Sequence, residues 1–288
     1  MGILNITPDS FADGGLYLDP GAAEAAALEM EARGADLIDV GGESTRPGSD
    51  TISADEEIVR IRPVLERLSR SLTIPISIDT SKPEVAEVAI GEGASLINDV
   101  TGLRGASGRS EAQSRRATAS GGGAPRALRY DASLAEIAAR SGAGLILMHA
   151  RGRSRDMYKE AHYASVPVEV GNELRTSLDR ALAAGARRES VVLDPGLGFA
   201  KRAEHSYAAL AALPTFAAIG CPLLAGPSRK SFLSAAIGER TPGERDMATA
   251  ASVAAAVLLG AHIVRVHNVP AMVDVVRVAD AIRNGAGL

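Results

Sequence analysis

Eight short apolar segments of this chain are each followed at once by polar side chains that could bind a ligand. The polar residues at or just past the ends of these segments are Asn5, Asp9, Asp39, Glu43, Ser44, Thr45, Arg46, Asp79, Asn98, Asp99, His149, Arg151, Asp194, Ser228, Arg229, Lys230, Arg265, His267 and Asn268. A polar residue after one strand says little. Polar residues after all eight segments indicate a site, provided that the ends of the segments meet in space.

Three of these residues would bring hydrogen-bond acceptors from three different segments to one place. They are Asp79, Asn98 and Asp194. Such acceptors need donors, because a buried carboxylate without a partner is costly. A nitrogen-rich heterocycle would supply those donors.

A second group consists of the basic residues Lys230, Arg265 and His267. Arginine suits a forked contact with phosphate, and lysine suits a point-charge contact. The sequence has no defensible Ser-His-Asp order, and His149, His262 and His267 are too scattered for a zinc motif. The pattern therefore favours electrostatic positioning of a small anionic ligand over covalent catalysis.

Several of the candidates also have a purely structural interpretation. A carboxylate after a strand can cap its own loop, a surface arginine can pair with a neighbouring acid, and a buried histidine can be a hydrogen-bonded wall rather than a proton carrier. The residues open to such an interpretation are Asp39, Glu43, Asp99, His149, Arg151 and Arg229.

The elements that must position these side chains alternate between apolar strands and helical patterns. The predicted strands are Gly2–Ile6, Asp36–Val40, Ile74–Ile78, Ser95–Val100, Gly144–Met148, Ser190–Leu193, Pro222–Ala225 and His262–Val266. The predicted helices are Pro20–Arg33, Ala54–Arg70, Pro83–Glu92, Ser133–Ser141, Val166–Ala184, Glu204–Leu213 and Thr249–Leu259. Near-continuous apolar strands are typical of a parallel sheet that is buried on both faces.

Eight strand–helix units predict an α/β protein of the (β/α)₈ TIM-barrel class, in which the strand ends surround one mouth. A doubly wound open sheet is the structural alternative, but it usually carries a glycine-rich phosphate turn after its first strand. The segment Asn5–Phe11 contains no such turn. A single domain over residues 1–288 fits the length of one barrel plus an insertion.

Composition and charge exclude several other classes. A net charge of −4 argues against nucleic acid as the main ligand. The longest apolar run, Met247–Gly260, is too short to span a bilayer, and Met1–Asn5 does not resemble a signal peptide. Cys221 is the only cysteine, which rules out an internal disulfide and suits a cytoplasmic location.

One low-complexity segment, residues 105–129, interrupts the alternation after the fourth strand. It is rich in Gly, Ala and Ser and contains five arginines against one glutamate. With few large apolar residues it cannot pack a core, so it is predicted to be a flexible loop insertion. The alternative is a basic flap that attracts an anionic substrate or a partner.

The motifs at the strand ends resemble, in order, those of the dihydropteroate synthase family. The matching segments are Met1–Phe11 with Asp13–Gly15, Asp39–Gly48, Ser77–Thr80, Ile97–Val100, Leu147–His149, Asp194–Phe199, Ser228–Ser231 and Arg265–His267. The resemblance covers nearly the whole chain apart from residues 105–129. It implies a transferase that joins 6-hydroxymethyl-7,8-dihydropterin diphosphate to 4-aminobenzoate and releases diphosphate in folate biosynthesis.

The resemblance also implies a role for each matching residue. The implied pterin-binding residues are Asp79, Asn98, Met148, Asp194, Phe199 and Lys230. The implied diphosphate-binding residues are Asn5, Arg265 and His267, with Mg²⁺ at Asn5. The implied 4-aminobenzoate-binding residues are Phe11, Thr45, Arg46, Pro47 and Ser228, and the implied catalytic residues are Asp9, Arg46 and Lys230. The small-molecule substrates would be the partners, without nucleic acid or membrane, and the Ala-rich last helices suit a homodimer.

The chain departs from the family pattern in three places. The resemblance places Met1 inside what should be the first strand of the family, so this strand is expected to be short. Asn268 stands where the family usually has Asp, and residues 105–129 are extra. Two alternatives stay open: a non-catalytic pterin-binding homologue, and a methyltransferase that moves a methyl group from methyltetrahydrofolate to a corrinoid.

Overall fold

A computed structural model describes residues 1–7, 19–44, 49–104, 131–152 and 157–285 of the chain. These residues contain eight parallel strands whose apolar side chains are almost all buried. The strands are β1 (Gly2–Asn5), β2 (Ile38–Gly41), β3 (Ile76–Asp79), β4 (Leu96–Asp99), β5 (Gly144–Met148), β6 (Val191–Asp194), β7 (Leu224–Ala225) and β8 (Ile263–Val264). Each overlaps the predicted apolar segment.

The strands close into a barrel. β1 to β6 form one continuous sheet in sequence order, and β7 pairs with β8. A bridge between Leu193 and Leu223 joins β6 to β7, and a bridge between Gly2 and Val266 joins β8 to β1. At the second seam the Val266 amide donates to the Met1 carbonyl at 3.0 Å. The (β/α)₈ prediction is confirmed, and the open doubly wound sheet is excluded. The first strand has four residues, the same number as β2.

Helices cover the outside of the barrel. They are α1 (Pro20–Ala32), α2 (Ala54–Ser71), α3 (Pro83–Gly91), α4 (Ser133–Ser141), α5 (Val166–Ala183), α6 (Ala203–Ala211), α7 (Leu213–Ala217), α8 (Ser234–Ile237), α9 (Asp246–Leu258) and α10 (Val269–Arg283). Local start signals fix several of them: Ser53 accepts the Glu56 amide at the start of α2, and Pro83 opens α3. The predicted insertion, 105–129, falls between β4 and α4 and lies outside the described residues.

Alternating side chains of the strands divide the core into two layers. Leu145, Leu147 and Leu193 belong to the large aliphatic cluster that packs against the helices. Ile146 and Leu224 belong to a separate small cluster, and Val192 packs against it. Because successive strand residues point to opposite faces, the small cluster fills the interior of the barrel.

No helix among the described residues is both long and apolar enough to cross a membrane.

Candidate active site

The polar residues at the strand ends lie one layer above the small interior cluster. Residues two positions beyond an interior strand residue face the interior again. Leu37, Leu96, Ile146, Val192 and Ile263 line or contact the small cluster. The residues two positions further on are Asp39, Asn98, Met148, Asp194 and Arg265. Strand periodicity therefore directs these side chains into the mouth at the carboxyl ends of the strands.

An arginine links two carboxylates at the centre of this mouth. Arg265 Nε donates to Asp39 Oδ2 at 2.6 Å, and its Nη2 donates to Asp79 Oδ2 at 2.9 Å. Asn98 Nδ2 donates to the same Asp39 oxygen at 3.0 Å. Asp39 is fully buried, and it holds both the arginine and the amide in fixed orientations.

Asp39 and Asp79 each have one buried oxygen that makes no hydrogen bond to the described residues. These atoms are Asp39 Oδ1 and Asp79 Oδ1. Burial raises the pKa of Asp79 to about 8, although Arg265 opposes the change. A β-carbon on Gly41 would lie 3.8 Å from Asn5 Oδ1 and 3.9 Å from Asp79 Oδ2, so both side chains lean over that glycine. The floor of the mouth thus offers acceptors to a ligand rich in N–H groups.

The loop after β6 forms one wall. Asp194 Oδ1 accepts the Gly196 amide at 2.7 Å, and burial raises the pKa of Asp194. Lys230 Nζ donates to the Leu197 carbonyl and lies 4.4 Å from the centre of the Phe199 ring. Burial lowers the pKa of Lys230 to about 8, partly offset by Asp194. The wall therefore combines an acceptor, a cation and an aromatic face.

Met148 borders the same wall. A β-carbon on Gly196 would lie 3.2 Å from Met148 Cγ, and Met148 is 3% exposed. An apolar side chain therefore lies beside the polar floor, as is usual in a pocket for a flat ring.

A basic edge lies next to this wall, after the neighbouring strands β7 and β8. Ser228 Oγ is 2.9 Å from His267 Nδ1 and accepts the His267 amide at 3.1 Å. Arg229 instead turns to Asp246 with contacts of 2.7 and 2.9 Å. Ser228 and His267 are thus in direct contact, Arg265 lies two residues before His267, and Arg229 is held by Asp246.

Other candidates also prove to be structural. Asp99 accepts the amides of Thr101 at 2.8 Å and Leu103 at 2.6 Å, so it braces its own loop. Glu43 accepts the Ile52 amide at 3.2 Å.

Two further candidates, His149 and Arg151, both contact Glu173 on α5. Arg151 Nε donates to Glu173 at 3.0 Å, and the Arg151 guanidinium lies 4.1 Å from the centre of the Tyr163 ring. His149 Nε2 is 3.1 Å from Glu173 and its Nδ1 is 2.8 Å from Lys201 Nζ. Burial and Lys201 lower the pKa of His149 to about 3, so this histidine is a neutral wall residue.

Five predicted site residues lie outside the described residues: Asp9, Phe11, Thr45, Arg46 and Pro47. Across the part of the chain that the structure describes, no three His, Cys, Asp or Glu side chains form a metal-binding group. The Asn5 side chain carries a hard oxygen donor of the kind that Mg²⁺ accepts.

Sequence reasoning did not find Glu173 or Lys201. Asp39 is a strand-end candidate that could also pair with an arginine, and the structure pairs it with Arg265. Lys201 lies well past the end of β6, and no local signal marks a buried lysine there.

Comparison with known proteins decides the family. The family model described as pterin binding enzyme matches residues 1–267 of the chain. The chain belongs to the pterin-binding enzyme family. The dihydropteroate synthase of Synechocystis is 40% identical over 282 residues, which cover 98% of this chain and 89% of that relative.

Solved structures of pterin-binding enzymes agree with this assignment. The dihydropteroate synthase of Yersinia pestis, in a complex with a sulfonamide drug, has a TM-score of 0.86 and 34% identity, covering 99% of this chain and 94% of that one. The dihydropteroate synthase of Xanthomonas albilineans with 4-aminobenzoic acid has a TM-score of 0.83 and 36% identity, covering 98% and 92%. Within the pterin-binding family, the activity is that of a dihydropteroate synthase, a transferase of folate biosynthesis.

Proposed function

We propose that the mouth of the barrel holds 6-hydroxymethyl-7,8-dihydropterin diphosphate and joins it to 4-aminobenzoate, with Asp79, Asn98 and Asp194 binding the pterin. The observation that carries the assignment is the buried Asp79 Oδ1, which has no partner among the described residues. A dihydropterin presents several N–H donors along one edge. Pairing them with buried acceptors removes a desolvation penalty that the ligand-free site bears.

The proposed reaction is a dissociative substitution at the pterin methylene carbon. The carbon–oxygen bond breaks, and the electron pair leaves with diphosphate, whose charge Arg265 and His267 neutralise. The developing cation is stabilised by carboxylates, among which we place Asp9. The amine of 4-aminobenzoate then forms the new carbon–nitrogen bond and loses a proton. No protein nucleophile is required.

Magnesium fits the donor chemistry at Asn5. This amide oxygen and the nearby carboxylates are hard ligands, and Mg²⁺ is commonly held by one or two protein oxygens together with substrate phosphates. When bound, it would add to the neutralisation of the diphosphate charge. Arg265 and His267, after the neighbouring strand β8, contribute to the same task.

We place 4-aminobenzoate between the loops after β1 and β2 and the start of the loop after β7. Its proposed contacts are Phe11, Thr45, Arg46, Pro47 and Ser228, with Arg46 and Lys230 among the catalytic residues. Ser228 supports this placement, because it lies against His267 and so borders the departing diphosphate.

Release of diphosphate tests the proposal. Purified protein should release diphosphate from the pterin substrate only when 4-aminobenzoate and Mg²⁺ are both added, and dihydropteroate should form in equal amount. Binding of the pterin without release would instead favour the non-catalytic homologue. Methyl transfer to a corrinoid would favour the methyltransferase.

The protein is further proposed to act as a cytoplasmic homodimer. Val278 and Ile282 on α10 are 61% and 63% exposed, and Leu258 on the neighbouring α9 is 45% exposed. This apolar surface suits a second copy of the chain. The one cysteine, Cys221, is a buried free thiol, which is compatible with a reducing compartment.

A further inference from the structure

Lys201 is a fully buried lysine that the proposed reaction does not use. Its side chain is 1% exposed. Its Nζ lies 2.8 Å from His149 Nδ1, 3.1 Å from the carbonyl oxygens of Gly196 and Phe199, and 3.4 Å from the His149 carbonyl. Burying this amine is tolerable only because the acceptors surround it.

Two of those acceptors belong to the loop between β6 and α6. That loop has positive φ angles at Gly196 (67°), Gly198 (78°) and Ala200 (49°). Carbonyls in such a backbone have no place in a regular strand or helix ladder, so they need other donors. Lys201 supplies donors to the carbonyls on either side of the turn.

The same loop carries two proposed pterin-binding side chains. Asp194 is tied to it through the Gly196 amide, and Phe199 lies beneath Lys230. Lys201 therefore binds the carbonyls of Gly196 and Phe199, whereas Lys230 donates to the carbonyl of Leu197 in the same loop.

We infer that Lys201 is a positioning residue that anchors the loop after β6 to the end of β5 and so sets the pterin wall of the site. The inference rests on the proposed function. Because Lys201 contacts His149, Gly196 and Phe199 but not Ser228, the described residue of the proposed 4-aminobenzoate site, its effect falls on the pterin rather than on 4-aminobenzoate.

Lys201→Met tests the inference, because Met keeps the length of the side chain and removes its donors. We expect KM for the pterin diphosphate to rise about tenfold while KM for 4-aminobenzoate stays near the wild-type value, since a displaced positioning group affects the ligand that it holds. Leu68→Ala is the matched control. Leu68 is fully buried near the C-terminal end of α2, at the opposite end of the barrel, and its cavity destabilises the fold without touching the loop.

Three outcomes would overturn the inference. They are an unchanged pterin KM in Lys201→Met, an equal rise of both KM values, or the same pterin effect in Leu68→Ala. If Lys201→Met does not fold, hydrogen exchange of the ligand-free wild type tests whether the loop after β6 is held in place. The Phe199 amide, which donates to Gly196 at 3.1 Å, must then be protected, and exchange at the rate of an unstructured peptide rejects the anchor. A wild type that forms no dihydropteroate refutes the proposed function instead.

Discussion

At the scale of single residues, Asp79 shows how the site differs from an ordinary buried ion pair. One of its oxygens contacts Arg265 at 2.9 Å, and the other has no partner within the described residues. Asp79→Asn should lower kcat/KM for the pterin substrate about 30-fold, because the amide puts an N–H donor where the carboxyl offers an oxygen acceptor, and an unsatisfied buried polar group costs roughly 2 kcal/mol. Steady-state kinetics measure this. Asp36→Asn, an exposed carboxylate before β2, is the control and should match the wild type.

His149 is expected to make the folded protein less stable in acid. Its pKa is lowered to about 3 in the folded protein by burial and by Lys201, whereas a histidine in the unfolded chain titrates near 6.5. Between these values the unfolded state binds the proton and the folded state does not. The free energy of unfolding must therefore fall as the pH falls through this window. At pH 5, which is 1.5 units below 6.5, the loss from this residue is about 2 kcal/mol.

Denaturant unfolding at pH 7.5 and pH 5 measures this loss. The stability difference between wild type and His149→Gln should shift by that amount in favour of the variant at pH 5. A difference that does not depend on pH would mean that the pKa of His149 is the same in the folded and unfolded states.

At the scale of elements, the loop after β6 depends on a glycine. Gly196 has a φ of 67°, and a β-carbon there would lie 2.0 Å from the His149 carbonyl oxygen. Gly220, before β7, has a φ of 83° but open space around it. Both Gly→Ala changes incur the left-handed penalty of about 1–2 kcal/mol. Only Gly196→Ala should lose more stability than that and also raise the pterin KM.

Denaturant unfolding of the two variants separates the cost of the left-handed backbone, which both share, from the clash with the His149 carbonyl, which only Gly196→Ala has. Equal losses would show that the loop can move away from the His149 carbonyl, and that the wall of the site is less rigid than the contacts indicate.

Asn268 links the starts of two helices. Its Oδ1 accepts the Ala271 amide at the start of α10, and its Nδ2 donates to Asp246 at the start of α9, at 2.9 Å. Asn268→Asp keeps the cap but replaces the donor with a second negative charge. We expect thermal unfolding to show a loss of about 1–2 kcal/mol. Increased stability would show that Arg229 balances both acids.

Periodicity alone predicts much of the fold and less of the site. The strands were recognisable because each is a buried apolar run, and alternation places Asn98 and Asp194 in the mouth. Asp79 and Asp99 look alike in the sequence, since each ends a strand. Only the backbone path shows that Asp99 gives its oxygens to the amides of Thr101 and Leu103.

The sequence also does not predict which lysines are buried. A lysine in a loop predicts exposure, but Lys201 is buried because the carbonyls of His149, Gly196 and Phe199 converge on it. The convergence depends on left-handed residues such as Ala200, which carries a β-carbon and so gives no local signal. Tertiary contacts, rather than residue type, determine such a position.

At the scale of the whole molecule, the last two long helices predict the assembly. α9 and α10 pack against each other and present Leu258, Val278 and Ile282 to solvent. Val278 and Ile282 are four residues apart and share one face of α10. Sedimentation should give a mass of twice 29.7 kDa, and the double change Val278→Arg, Ile282→Arg should give a monomer, because buried unpaired charges oppose association.

The control for this prediction is Val59→Arg on α2, a residue that is 72% exposed outside the apolar surface of α9 and α10. This variant should sediment as the dimer, because a single charge there meets only water. A wild type that sediments at 29.7 kDa at all concentrations would contradict the homodimer. Loss of the dimer in Val59→Arg would instead move the interface to α2, since the association would then depend on a different face of the barrel.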